Sequence, residues 1–117
     1  MAAFAATLLR GPIELRELRQ SLRSWLELTN ATARTCDSVV LATHEAAANA
    51  MVHGQEGGPV TVSARQNEAG DFTVEVSNLG AWAEPERCKR DHGLGMMRAL
   101  MGEVEIHTDT HVRMLTR

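Results

Sequence analysis

A chain of 117 residues, 44% hydrophobic and 23% charged, is long enough for one buried core and too short for two, so residues 1–117 are expected to form a single domain. The formal net charge of −3, with Lys and Arg scattered along the chain, excludes a field that would draw the whole molecule to nucleic acid or to an anionic membrane. No apolar run approaches the roughly 18 to 20 residues of a membrane span, residues 1–9 lack the basic front end of a secretory signal, and Cys36 and Cys88 lack CxxC spacing; the expected location is the cytoplasm.

Residues 2–10 alternate weakly around Phe4, Leu8 and Leu9, the pattern of a short edge strand. Gly11 and Pro12 then open a helix whose Leu15, Leu18, Leu22 and Trp25 recur at steps of three and four. Its opposite face carries Arg16, Arg19 and Arg23, and Glu17 can pair with one of them. That face reads either as a solvated surface or as a docking surface for an acidic partner.

Residues 29–36 are polar and turn-like, and an alanine-rich helix follows. Thr35, Asp37 or Ser38 serves as its N-cap and Gly54 as its C-cap. At about 100° per residue, Glu45, Asn49 and His53 stand successive turns apart on one face, with Leu41 at the head of the line. A carboxylate one turn before a carboxamide is costly to bury without a polar partner, so that face is either wet or holds a ligand.

Residues 54–59 break the chain. Val60, Val62 and Ala64 alternate with polar residues, residues 68–71 turn, and Phe72, Val74 and Val76 alternate in return, which predicts an antiparallel hairpin. Residues 83–91 are charged and irregular. A third helix is expected from His92 through Met101, closing near Gly102, and a second hairpin from Val104, Ile106 and Thr108 through Asp109 and Thr110 to Val112 and Met114. Locally joined strands with segregated helices predict an α+β two-layer sandwich, with a mostly antiparallel sheet covered on one face by three helices.

Single motifs are weak. Gly93 and Gly95 before a helix bring backbone amides near an anion, yet the spacing fits neither a Walker A loop nor a dinucleotide fingerprint. His44-Glu45 lacks the second His of a zincin, since position 48 is Ala, and His107 and His111 flank a turn without an acidic or thiol companion.

Three spaced pieces together are more specific. The helix with Glu45, Asn49, Ala50, His53 and Gly54, the strand end at residues 76–80 with Asn78 and Gly80, and the segment Gly93-Leu94-Gly95-Met96 resemble the N box and the two glycine boxes of the GHKL (Bergerat-fold) ATPases. Within that superfamily the likeness is to the bacterial anti-sigma-factor serine kinases.

The resemblance implies ATP and Mg²⁺ as ligands, with Asn49 holding the metal and Glu45 acting as the base toward the attacking hydroxyl. It implies that Asn78, Gly80 and Trp82 lie at adenine, that Gly93, Leu94, Gly95 and Met96 lie around the phosphates, and that Thr110 keeps part of a motif before the last strand. Leu79, Trp82 and Met96 fit a pocket lining or plain core packing equally well, and His53 fits packing better than phosphate contact. Partners implied are a sigma factor or its antagonist, through Arg16, Arg19 and Arg23, and a second copy of the chain.

The sequence departs from the family pattern at three places. Asn78 stands where an Asp accepts the adenine amino group, Trp82 replaces a glycine, and Asp91 puts a negative charge beside the expected phosphates. Two other readings are therefore kept: a binding module with a decayed nucleotide site, and an ATPase component of a larger assembly.

Overall fold

The computed structural model describes residues 3–8, 12–53, 59–78, 101, 103–107 and 111–116. In chain order these form β1 (Ala3–Leu8), α1 (Pro12–Glu27), α2 (Ala33–His53), β2 (Val60–Gln66), β3 (Phe72–Asn78), β4 (Glu103–His107) and β5 (His111–Leu115). The strands make one sheet in the order β1-β2-β3-β5-β4, and each neighbouring pair is antiparallel. The α+β sandwich expected from the sequence is thus present. Its expected third helix lies outside the described residues, apart from Met101, which is buried in a bend.

Period-two patterning sets the sheet's two faces. Val60, Val62, Ala64, Phe72, Val74 and Val76 are buried, while Thr61, Ser63 and Arg65 between them are exposed. On the outer face Thr61 and Ser77 share a hydrogen bond of 2.8 Å, and Arg65 pairs with Glu75 at 3.6 Å. The β2–β3 turn is anchored by Asn67, whose side-chain oxygen accepts from the Asp71 amide at 2.9 Å. Gly70 takes a φ of 95° there, a left-handed value that costs glycine little. At the same end of β3, Thr116 holds the register with β5, its hydroxyl accepting from the Phe72 amide at 2.8 Å.

Helix α1 lays Leu18, Leu22 and Leu26 against the sheet, each at most 2% exposed. It packs on β1, and α2 packs on β2 and β3. Trp25 locks the α1 side by sitting between two rings, Phe4 at 5.9 Å and Phe72 at 5.7 Å, the second edge-on at 79°. Cys36 belongs to the same buried cluster, and burial pushes its thiol pKa up, as expected of a packing residue.

The start of α2 corrects the sequence expectation. The helix begins two residues before Thr35, within the segment read as a turn, and its cap is Thr32. The Thr35 amide donates to Thr32 Oγ1 at 3.1 Å, and the Cys36 amide donates to the Thr32 carbonyl at 2.9 Å. Thr29 closes α1 just upstream, its hydroxyl donating to the Leu26 carbonyl at 2.6 Å. The polar run is polar because it caps two helices in succession, and Thr35, Asp37 and Ser38 lie inside the second.

Thr32→Ala should therefore lower unfolding free energy by about 1 kcal/mol in a urea titration, and Ser38→Ala by less. Leu22→Ala should cost about 2 to 5 kcal/mol, since it empties a fully buried position.

Candidate functional site

The roll of α2 about its own axis decides what each side chain can reach. Its buried face is Val39, Ala42, Thr43, Ala46, Ala47 and Ala50, side chains short enough to bring the helix close to the sheet. On one flank, two polar contacts tie α2 to α1. Arg19 Nη1 donates to His44 Nδ1 at 2.9 Å, and Arg23 Nη1 donates to Asp37 Oδ1 at 2.9 Å. Val40 lies on this same flank and lines a groove with Arg16, Arg19, Gln20 and Arg23.

Asn49 is nine residues beyond Val40, which at about 100° per residue is about 180° round the helix. Glu45, five residues beyond Val40, lies about 140° round. The carboxylate and the carboxamide therefore share the flank turned away from α1. Because α1 covers β1 and α2 covers β2 and β3, that flank faces the side of the sheet where β5 and β4 extend it. Met101 and Met114 close the core there, both fully buried.

Glu45 and Asn49 are each half-buried, and Leu41 at the head of their line is 41% exposed. The face is thus accessible to solvent along its length rather than sealed in the core. It offers two oxygen donors one turn apart, a hard set that suits Mg²⁺ better than a soft metal. Among the described residues there is no group of three or more His, Cys, Asp or Glu that could hold a metal by protein ligands alone. A cation here would need oxygens from a ligand as well, which is the usual case for Mg²⁺ on a nucleotide.

Of the other residues expected at a site, Asn78 is the last of β3 and pairs in register with Val60. Gly80, Trp82, Gly93, Leu94, Gly95, Met96 and Thr110 lie outside the described residues, as do Leu79 and Asp91. His107 and His111 are direct partners across the β4–β5 ladder. His53 ends α2.

The sequence reading missed the role of His44, which it weighed only against a zinc motif. An arginine has no lone pair to offer, so Nδ1 accepts the Arg19 hydrogen bond and the imidazole is neutral, its proton on Nε2. Burial first, and then the Arg19 charge, hold the His44 pKa below its ordinary 6.5, while Glu45 pulls it the other way. No local signal marked it: His44 lies four residues after Val40, and only the packing of the helices shows that this side of α2 meets the arginine-bearing helix. Glu17, expected to pair within α1, is passed over, and Arg23 crosses to Asp37 instead.

Comparison with known proteins agrees with the fold. A protein-family model described as histidine kinase-like ATPase domain matches residues 10–116. No curated protein sequence matches the chain. Among solved structures, the crystal structure of the RsbU and RsbW domains of Rv1364c from Mycobacterium tuberculosis is similar, with a TM-score of 0.81 and 25% sequence identity. The match covers 100% of this chain and 32% of that one, so the likeness is to a part of a longer protein. With residues 10–116 inside the family pattern, and a two-layer fold of the matching kind, the chain belongs to the histidine kinase-like ATPase domain family.

Proposed function

We propose that this ATPase domain is an anti-sigma-factor-like regulator: it binds Mg-ATP on the free flank of α2 and passes the γ-phosphate to a Ser or Thr hydroxyl of an antagonist protein. The observation that carries the reading is the pairing of Glu45 and Asn49 on the one flank of α2 that α1 leaves open. In the absence of such a pair the family membership would specify an ATPase fold and little about its use.

Asn49 would hold Mg²⁺ through its carboxamide oxygen, and the metal when bound supplies charge neutralisation to the phosphates. Glu45, one turn earlier, would take the proton from the attacking hydroxyl. Its half-exposed position leaves room for that hydroxyl to approach. Asn78 at the end of β3 would accept a hydrogen bond from adenine, with Gly80 and Trp82 beside it. Gly93, Leu94, Gly95 and Met96 would cradle the phosphates with backbone amides, and Thr110 would complete the rim.

Partner exchange follows from the chemistry. A phosphate added to the antagonist brings about −2 charge to the contact surface, and re-docking beside Glu45 is then disfavoured. The sigma factor would be the partner released or held as the antagonist leaves or returns. The terminal position of β1 in the sheet supports pairing with a second copy through that strand and α1. A cytoplasmic site of action goes with this reading, and no described helix is long and apolar enough to cross a membrane. The arginine groove beside Val40 is what favours the second reading, a module that regulates by docking after its nucleotide site has decayed.

Isothermal titration separates the two. Mg-ATP should bind in the micromolar range, and Asn49→Ala should weaken it at least tenfold; absence of heat in the unaltered protein would leave the docking reading. With labelled ATP and a cognate antagonist, Glu45→Ala should keep nucleotide binding and lose phosphotransfer by about two to four orders of magnitude, the usual worth of a general base. Unchanged transfer would remove Glu45 from that role.

A further inference from the structure

Leu41 stands at the outer end of the line that carries Glu45 and Asn49. Ala50, 1% exposed, is nine residues further on and about 180° round the helix, so Leu41 lies on the crest of α2 farthest from the sheet. From there the line descends. Glu45 is about 6 Å along the axis and about 40° round toward the free flank, and Asn49 lies the same step again beyond it.

Burial follows the descent, from Leu41 at 41% exposed to the half-buried Glu45 and Asn49. Among the described residues the exposed large apolar side chains are Ile13, Leu28 and Leu41, and of these Leu41 alone stands on α2. A lone surface leucine is ordinary. This one is set one turn from a carboxylate, where Cβ atoms four residues apart are about 5 to 6 Å from each other.

With the cation at Asn49, the deeper end of the line, and the base at Glu45, an acceptor hydroxyl reaches Glu45 from the solvent side. In the transfer the acceptor oxygen bonds to the γ-phosphorus, its proton passes to Glu45, and ADP leaves with the electron pair of the broken P–O bond. The polypeptide on either side of that hydroxyl then passes over the crest, at Leu41. A water molecule attacking in its place has no side chain to lay there.

We propose that Leu41 is a specificity-determining residue for the protein substrate: it seats an aliphatic side chain close to the Ser or Thr that receives the phosphate. The proposal rests on the phosphotransfer reading of Glu45 and Asn49, and adds to it the chemistry of the segment around the acceptor.

The neighbours of Leu41 sharpen that chemistry. Asp37 lies one turn before it and Glu45 one turn after, so an acidic residue arriving here meets like charge on both sides. A basic residue would pair with Glu45 and stabilise its charged form, which opposes its work as a base. An aliphatic residue covers Leu41 and leaves the carboxylate to the hydroxyl. Covering the exposed part of one leucine is worth roughly three- to tenfold in affinity.

The test incubates the full chain with labelled Mg-ATP and a synthetic library of serine peptides in which the three positions on each side of the serine are randomised. Phosphorylated peptides should be enriched in Leu, Ile, Val or Met at one fixed offset from the serine and depleted in Asp and Glu there. A preferred peptide and its counterpart with Ala at that offset are then compared on the unaltered protein and on Leu41→Ala. On the unaltered protein the Ala peptide should show a KM roughly three- to tenfold higher, with kcat within about twofold. On Leu41→Ala the two peptides should be equal, the coupling expected of groups that touch. No aliphatic enrichment, equal penalties on both proteins, or a library left unphosphorylated by protein that binds Mg-ATP overturns the proposal. Mg-ATP affinity on the same samples tests the underlying reading by itself: no binding to the unaltered protein removes that reading and the proposal with it. Leu41→Ala should bind Mg-ATP as the unaltered protein does, since Leu41 is about 12 Å along α2 from Asn49.

Discussion

The close seating of α2 on β2 and β3 is the constraint on which the rest of the structure depends. The seated face is built from Val39, Ala42, Ala46, Ala47 and Ala50, all at most 1% exposed, and such short side chains leave little slack in the helix's roll. A rotation by one residue would turn Glu45 through about 100°, off the open flank. Thr43 is carried into the same face, fully buried, with its hydroxyl unpartnered among the described residues, which nothing in the structure explains. The roll is fixed from both sides: by the sheet below, and by the contacts from Arg19 and Arg23 of α1.

With that roll set, α2 presents two chemically different flanks. One meets α1 in a basic groove and carries His44. The other carries Glu45 and Asn49 beside the part of the sheet formed by β5 and β4. One helix thus separates an arginine-lined groove from a flank that carries two oxygen-bearing side chains. Adjacent residues, His44 and Glu45, belong to opposite flanks, and the rigid helix between the two surfaces gives them a fixed relation.

Much of this was legible in the residues. The alternation of Val60, Val62 and Ala64 and of Phe72, Val74 and Val76 located a hairpin, and the spacing of Leu18, Leu22 and Trp25 located α1, because burial on one face imposes those periods. Glu45 and Asn49 could be placed on one face by counting. The start of α2 was misplaced, since Thr32, Thr35, Asp37 and Ser38 all have capping side chains and only the chain's path after Thr29 selects among them. The order β1-β2-β3-β5-β4 was not readable from periodicity, because β1 is far in sequence from its partner β2. Nor was the Arg19–His44 bond, which joins residues 25 apart and has no local signature.

The proposed activity requires a nucleotide-bound cation at the Glu45–Asn49 flank. Paramagnetic broadening of assigned backbone amides by Mn²⁺-ATP measures this most directly, since Mn²⁺ takes the same oxygen ligands as Mg²⁺. The strongest broadening is expected at Glu45, Asn49 and their neighbours on α2, with the α1 amides of Arg16, Arg19 and Arg23 little affected. Broadening centred on those arginines, or spread evenly over the chain, would rule out the proposed nucleotide site.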